Sequence, residues 1–135
     1  MNSIRKFVLP VCIFIAGAAT TIVAQTLGDI PQRTEQKRGD LVGAPGMEVV
    51  SSMIELKPGE SLDLHTHHGI EVAYVIQGTK VQSPGKDPIE LATASNLLVP
   101  RDLRHGGFKV VGDSSLKLFT VHVIDKGKPI YDFVK

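Results

Sequence analysis

Apolar and polar residues alternate along most of the chain in short runs, each closed by a residue suited to a turn. The alternation predicts strands over Met47–Leu56, Ser61–His67, Glu71–Gln77, Thr79–Ser83, Ile89–Leu91, Leu97–Val99, His105–Val111 and Leu116–Ile124, because period-two patterning suits a half-buried strand. Between them stand Lys57-Pro58-Gly59, His68-Gly69, Gly78, Ser83-Pro84-Gly85-Lys86, Ala94-Ser95-Asn96, Gly106-Gly107 and Gly112-Asp113, residues that turn a chain cheaply. No run holds a helical period for ten residues, and there is no heptad or internal repeat. Short strands at this spacing predict an all-β sandwich or barrel. Leu27 to Pro45 is polar and turn-rich without either period and reads as an extended lead-in.

The N-terminus follows a different rule. Arg5 and Lys6 precede a charge-free stretch from Phe7 to Gly28, strongly apolar to Ala19 and ending in small residues. This is the pattern of an export signal, with cleavage expected after Ala24. The alternative is an uncleaved anchor, since Phe7 to Ala24 approaches the roughly 20 residues that span a bilayer. Either reading puts the domain in the periplasm or outside the cell, and cleavage leaves no stable membrane span. The expected organisation is a signal over 1–24, the lead-in over 25–45 and a barrel over 46–135. Cys12 is the only cysteine. It would leave with the signal, so no disulfide staples the domain. Val11 before Cys12 argues against lipoprotein attachment, and Arg5-Lys6 is not a twin-arginine pair, so the chain is expected to cross unfolded and to take up any metal afterwards.

Composition narrows the function classes. The 135 residues support one domain; 42% are apolar, 21% are charged and the net charge is +1, values that exclude a disordered chain and a dedicated nucleic-acid binder. No G-x-S-x-G, P-loop, G-x-G-x-x-G or C-x-x-C occurs, which removes the common nucleophile, nucleotide and thiol-redox readings.

Three potential metal ligands remain within seven residues: His65, His67 and Glu71. Residues i and i+2 of a strand share a face, roughly 6.6 Å apart along the backbone, so two imidazoles can converge on one ion. A hairpin turning at Gly69 would return Glu71 across them. A bare H-x-H is weak by itself, because an exposed strand often carries such a pair in solvent.

The wider pattern is more specific. Gly59, His65, His67, Glu71 and Gly78, at their observed spacing, resemble the first motif of the cupin superfamily, and Pro100-Arg101-Asp102-Leu103-Arg104-His105 resembles the second. The chain departs from the family pattern at Asp102, where a glycine is usual in the turn, at Lys109, where an asparagine is usual, and at Ala94-Ser95, where a glycine commonly opens the second motif. The resemblance covers about Gly46 to Ile124 and is greatest to small single-domain bacterial cupins. It implies a double-stranded β-helix (jelly-roll) barrel in which His65, His67, Glu71 and His105 bind one divalent ion. Only one copy of the motifs is present.

Three imidazoles and a carboxylate suit Fe, Mn, Co, Ni, Cu or Zn. Four protein donors on an ion that accepts six leave positions for a substrate, an arrangement that suits catalysis. The expectation is an exported metal-dependent dioxygenase or related oxidoreductase acting on a small molecule, with Glu71 also serving as proton acceptor. The alternative is a non-catalytic barrel that binds a metal or small ligand. A homodimer is expected, with Leu41 to Val50 adding a strand to a neighbouring barrel. His68 reads as a loop residue and His122 as a structural one, inside or outside the barrel. Arg101 and Arg104 read as solvated surface, with a substrate-carboxylate anchor as the alternative. Tyr74, Phe108 and Phe119 read as packing, and Ala73, Val75, Leu98 and Phe108 as pocket lining.

Overall fold

The computed structural model describes residues 28–135; the export signal read over 1–24 lies outside them. Eleven strands follow in chain order: β1 (Arg33–Asp40), β2 (Met47–Leu56), β3 (Ser61–Leu62), β4 (His65–Thr66), β5 (Gly69–Gln77), β6 (Thr79–Gln82), β7 (Ile89–Leu91), β8 (Asn96–Val99), β9 (Phe108–Val110), β10 (Leu116–Asp125) and β11 (Asp132–Phe133). They form a five-stranded sheet in the order β1-β2-β10-β5-β8, a four-stranded sheet β3-β9-β6-β7, and the pair β11-β4. All pairings are antiparallel. The all-β expectation holds.

The long strands sit where alternation is strictest. In β2, β5 and β10 every second residue is buried, and the inward set of Val50, Ile54, Leu56, Val75, Leu116, Leu118 and Ile124 meets Leu62, Val81 and Val110 from the opposite sheet. Apolar burial of this kind is the main favourable contribution to folding.

Three expectations are corrected. The lead-in contains β1, which pairs with β2 from Arg33↔Ile54 to Asp40↔Glu48; its polar sequence fits an edge strand that is mostly exposed. Because β2 is thus paired on one side by β1 and on the other by β10, Met47 to Val50 has no free edge to lend a second barrel. Nor is Ser61–His67 one strand: it breaks at Asp63-Leu64 into β3 and β4, and β4 pairs with β11 rather than with β5.

Two glycines make the corners. At Gly69 a Cβ would meet the Val123 carbonyl oxygen at 2.0 Å, and at Gly78 the Leu91 carbonyl oxygen at 2.1 Å. Only a residue without a side chain lets the backbone pass that close, so β5 leaves one sheet at Gly78 and enters it at Gly69.

Candidate metal centre

Gly69 is why the four candidate ligands meet. The chain turns there from β4 into the five-stranded sheet, so His65 and His67 approach from one side of the barrel and Glu71 from the other. The expected hairpin is therefore replaced by a corner. His105 comes from the turn before β9, where it bridges to His65 through paired backbone hydrogen bonds of 3.0 Å in each direction. In that turn Asp102 takes φ 61°, a left-handed conformation that glycine adopts freely and that Asp tolerates better than most residues.

One ligand atom from each of His65, His67, Glu71 and His105 lies within 4.8 Å of the others. His65 and His67 are 1% exposed and Glu71 is 6% exposed, while the His105 side chain is 21% exposed. His105 therefore marks the side on which the centre meets solvent.

The hydrogen bonds decide which nitrogens face inward. Nδ1 of His65 donates to the Asp63 carbonyl at 2.7 Å, Nδ1 of His105 donates to Leu103 at 3.0 Å, and Nδ1 of His67 donates to Ile130. A carbonyl can only accept, so each Nδ1 carries hydrogen and each neutral ring leaves a lone pair on Nε2. Such backbone partners are the usual means of orienting a metal-ligating imidazole.

Those lone pairs converge. The Nε2 atoms of His67 and His105 are 3.1 Å apart, and the Oε2 atom of Glu71 is 3.0 Å from the first and 2.9 Å from the second. Three acceptors at such separations repel unless a cation lies among them. An ion about 2.1 Å from each donor sets neighbouring donors roughly 3.0 Å apart in six-coordination. The group thus fits a single metal ion.

The electrostatics agree. Burial alone would raise the Glu71 carboxyl, but the adjacent Nε2 atoms of His105 and His67, which donate to it whenever they carry a proton, outweigh burial and hold the group well below the ordinary carboxylate range. Burial pushes His65 down to about 4, so the ring is neutral and able to ligate. For His105 burial acts downward, yet the contacts with Glu71 and the Leu103 carbonyl prevail and raise it. A proton is the competitor that takes the cation's place between these two residues.

The remaining candidates separate clearly. His68 turns away from the centre, with its Nε2 3.8 Å from Asp132 Oδ2, as a loop residue would. Arg101 pairs with Asp125 and donates to the His68 carbonyl at 3.0 Å, which engages it away from the ligands, and Arg104 is exposed. Tyr74 and Phe119 oppose one another on the outer sheet face, partly exposed. Of the expected pocket lining, Ala73 and Val75 point inward, but Leu98 is 69% exposed on the outside. Phe108 packs against the core and lines an open groove of about 490 Å³ with Leu62, Asp63, Leu64, Pro84 and Gly107.

Two residues matter more than the sequence reading allowed. His122 is fully buried beside the ligands, its ring centroid 4.6 Å from that of His67. Tyr131, 2% exposed, sits 4.8 Å from the His65 ring and 5.5 Å from the His67 ring, and burial drives its hydroxyl far above the ordinary range. No periodic signal in the sequence pointed to Tyr131, which precedes β11, the strand that pairs with β4.

Comparison with known proteins adds the lineage of this arrangement. The cupin domain family matches residues 52–122. None of the curated proteins matches the chain. Among solved structures, a cupin-like protein from Thermotoga maritima is similar at 17% identity and TM-score 0.52, over 76% of this chain and 74% of that one. An RmlC-like cupin family protein with a double-stranded β-helix fold from Methanocaldococcus jannaschii is similar at 15% identity and TM-score 0.50, over 72% and 84%. The DMSP lyase DddQ from Ruegeria pomeroyi aligns at 14% identity and TM-score 0.48 over 59% of this chain, and the match spans only 40% of that one. At these identities the likeness is one of fold.

Proposed function

The chain belongs to the cupin domain family, and from that premise we propose an exported protein that binds one divalent transition-metal ion through His65, His67, Glu71 and His105 and serves as a mononuclear dioxygenase or related oxidoreductase on a small oxygen- or thiol-bearing molecule. The observation that carries the reading is the convergence of lone pairs at 2.9 to 3.1 Å, an arrangement that a cation relieves. When bound, such an ion supplies Lewis acidity and coordination positions beyond the four protein donors.

The protein's own residues do the rest. The carbonyls of Asp63, Leu103 and Ile130 lock the three rings in the ligating tautomer. His105 lies at the exposed edge with Leu103, itself exposed, two residues before it, and Phe133 opposes His65, so a small molecule with an apolar body and a chelating end would enter there. Glu71 is ionised at neutral pH, with Oε2 facing His67 and His105; swung off the ion, that oxygen would take a substrate proton. The test is oxygen consumption by metal-loaded protein across catechols, flavonols and thiols.

One observation favours a second reading, a non-catalytic barrel that binds a small ligand: three of the four ligands are almost wholly enclosed. Tight ligand binding without oxygen uptake across the panel supports it over catalysis.

A homodimer is proposed as well, through a different surface from the one expected. The outer face of the five-stranded sheet exposes Ile70, Val72, Tyr74, Ile76, Leu98 and Phe119, neighbours through the registers Tyr74↔Phe119 and Val72↔Leu98. An antiparallel sheet normally turns polar residues to solvent. Pairing two such faces would cover these side chains, as a specific interface does.

A further inference from the structure

His122 is the buried polar group that the ligand set leaves unexplained. The register of β5 and β10 puts it directly opposite Glu71, and directly opposed residues on an antiparallel pair bring their side chains together. Both point into the barrel. His122 is 0% exposed, and neither ring nitrogen has a hydrogen-bond partner. A neutral imidazole always carries one N–H, and enclosing that donor without an acceptor is costly. Its other cross-strand neighbour, Val50 of β2, offers no polar side chain. The charged acceptor in reach is Glu71, whose Oε1 lies 3.7 Å from His122 Nε2.

We infer that His122 is a positioning residue for Glu71: its Nε2–H captures Oε1 once the ion is bound, so that Oε2 alone is presented to the centre. The inference rests on the metal reading above. Glu71 would otherwise be free to rotate about its terminal torsion, which is soft, and to offer either oxygen or both. Holding one oxygen removes that freedom in the metal-bound state. Outer partners of metal ligands typically govern metal affinity by 10- to 100-fold.

The test compares His122→Phe with His122→Gln in the mature chain, using Zn and Co with a competing chelator. His122→Phe retains the ring volume without an N–H; it is expected to melt no lower than the wild type when metal-free, because an unpartnered polar ring has been replaced by an apolar one, yet to bind Zn about 10- to 100-fold more weakly and to shift the visible spectrum of bound Co. His122→Gln places an amide N–H at the depth of Nε2 and should recover most of the affinity. His122→Asn falls one bond short and should behave like His122→Phe, so it carries the comparison if the phenylalanine ring does not fit. Equal affinity and an unchanged Co spectrum in the Phe and Asn variants would overturn the role of His122 while leaving the metal site intact. A Gln variant as weak as the Phe variant overturns it too. Failure of the wild type itself to bind metal overturns both readings together.

Discussion

Acidifying the metal-free protein should unfold it through His122, and the size of the effect follows from its burial. Burial pushes the ring down from 6.5 to about 4, against an opposing pull from Glu71. The unfolded chain takes up this proton as the pH falls below 6.5, whereas the folded chain resists until about 4. Stability from the neutral ring is therefore complete above the higher value and is lost as the pH falls through the window. At about 1.4 kcal/mol per pH unit the full loss is about 3 kcal/mol, most of it incurred by about pH 4.5. His65, pushed down to about 4 chiefly by burial, adds in the same direction. His105, which is raised, contributes stability at low pH that fades as pH rises, and partly offsets the other two. Comparing chelator-treated wild type with His122→Phe isolates the one ring. Urea unfolding followed by circular dichroism at about pH 7 and about pH 4.5 should show the wild type losing about 2 to 3 kcal/mol more than the variant. Parallel pH profiles for the two proteins would refute the reasoning.

Other consequences are testable separately. Gly69→Ala sets a Cβ 2.0 Å from the Val123 carbonyl oxygen, so β5 and β10 must part; a loss on the order of 3 kcal/mol, read by thermal melting, should come with loss of metal because Glu71 shifts too. Phe119→Glu places a charge in the apolar sheet face and should convert a dimer into a monomer by light scattering, whereas a wild type that is already monomeric at micromolar concentration removes the dimer. Protein recovered from the periplasm should carry mostly Zn or Cu, and protein made in the cytosol without residues 1–24 should carry more Fe, Ni or Mn, since the divalent affinity order favours Cu and Zn; elemental analysis showing identical Fe or Mn in both would mean that geometry sets the metal.

What could be read in advance divides along physical lines. The long strands were legible because β2, β5 and β10 each bury one face, and a half-buried strand writes itself into sequence as alternation. The ligand group was legible because His65, His67, Glu71 and His105 carry the family's motif spacing. β1 was not, because an exposed edge strand has no buried face to impose a pattern; its eight residues are almost all polar. The corner at Gly69 looked like a hairpin turn because the same residue serves both, and only the proximity of Val123 distinguishes them. His122 was ambiguous for a related reason: its strand has apolar residues on both faces, so periodicity could not say which face is the interior. Tyr131 lies in a tail too short for any period to register.

The most direct test of the account is the metal content of the mature protein and of its single alanine variants, measured by elemental analysis after reconstitution and exhaustive dialysis. One ion per chain is expected in the wild type and in His68→Ala, with sharp loss in His65→Ala, His67→Ala, Glu71→Ala and His105→Ala. Full occupancy in His67→Ala, or no bound metal in the wild type, would contradict the centre described here.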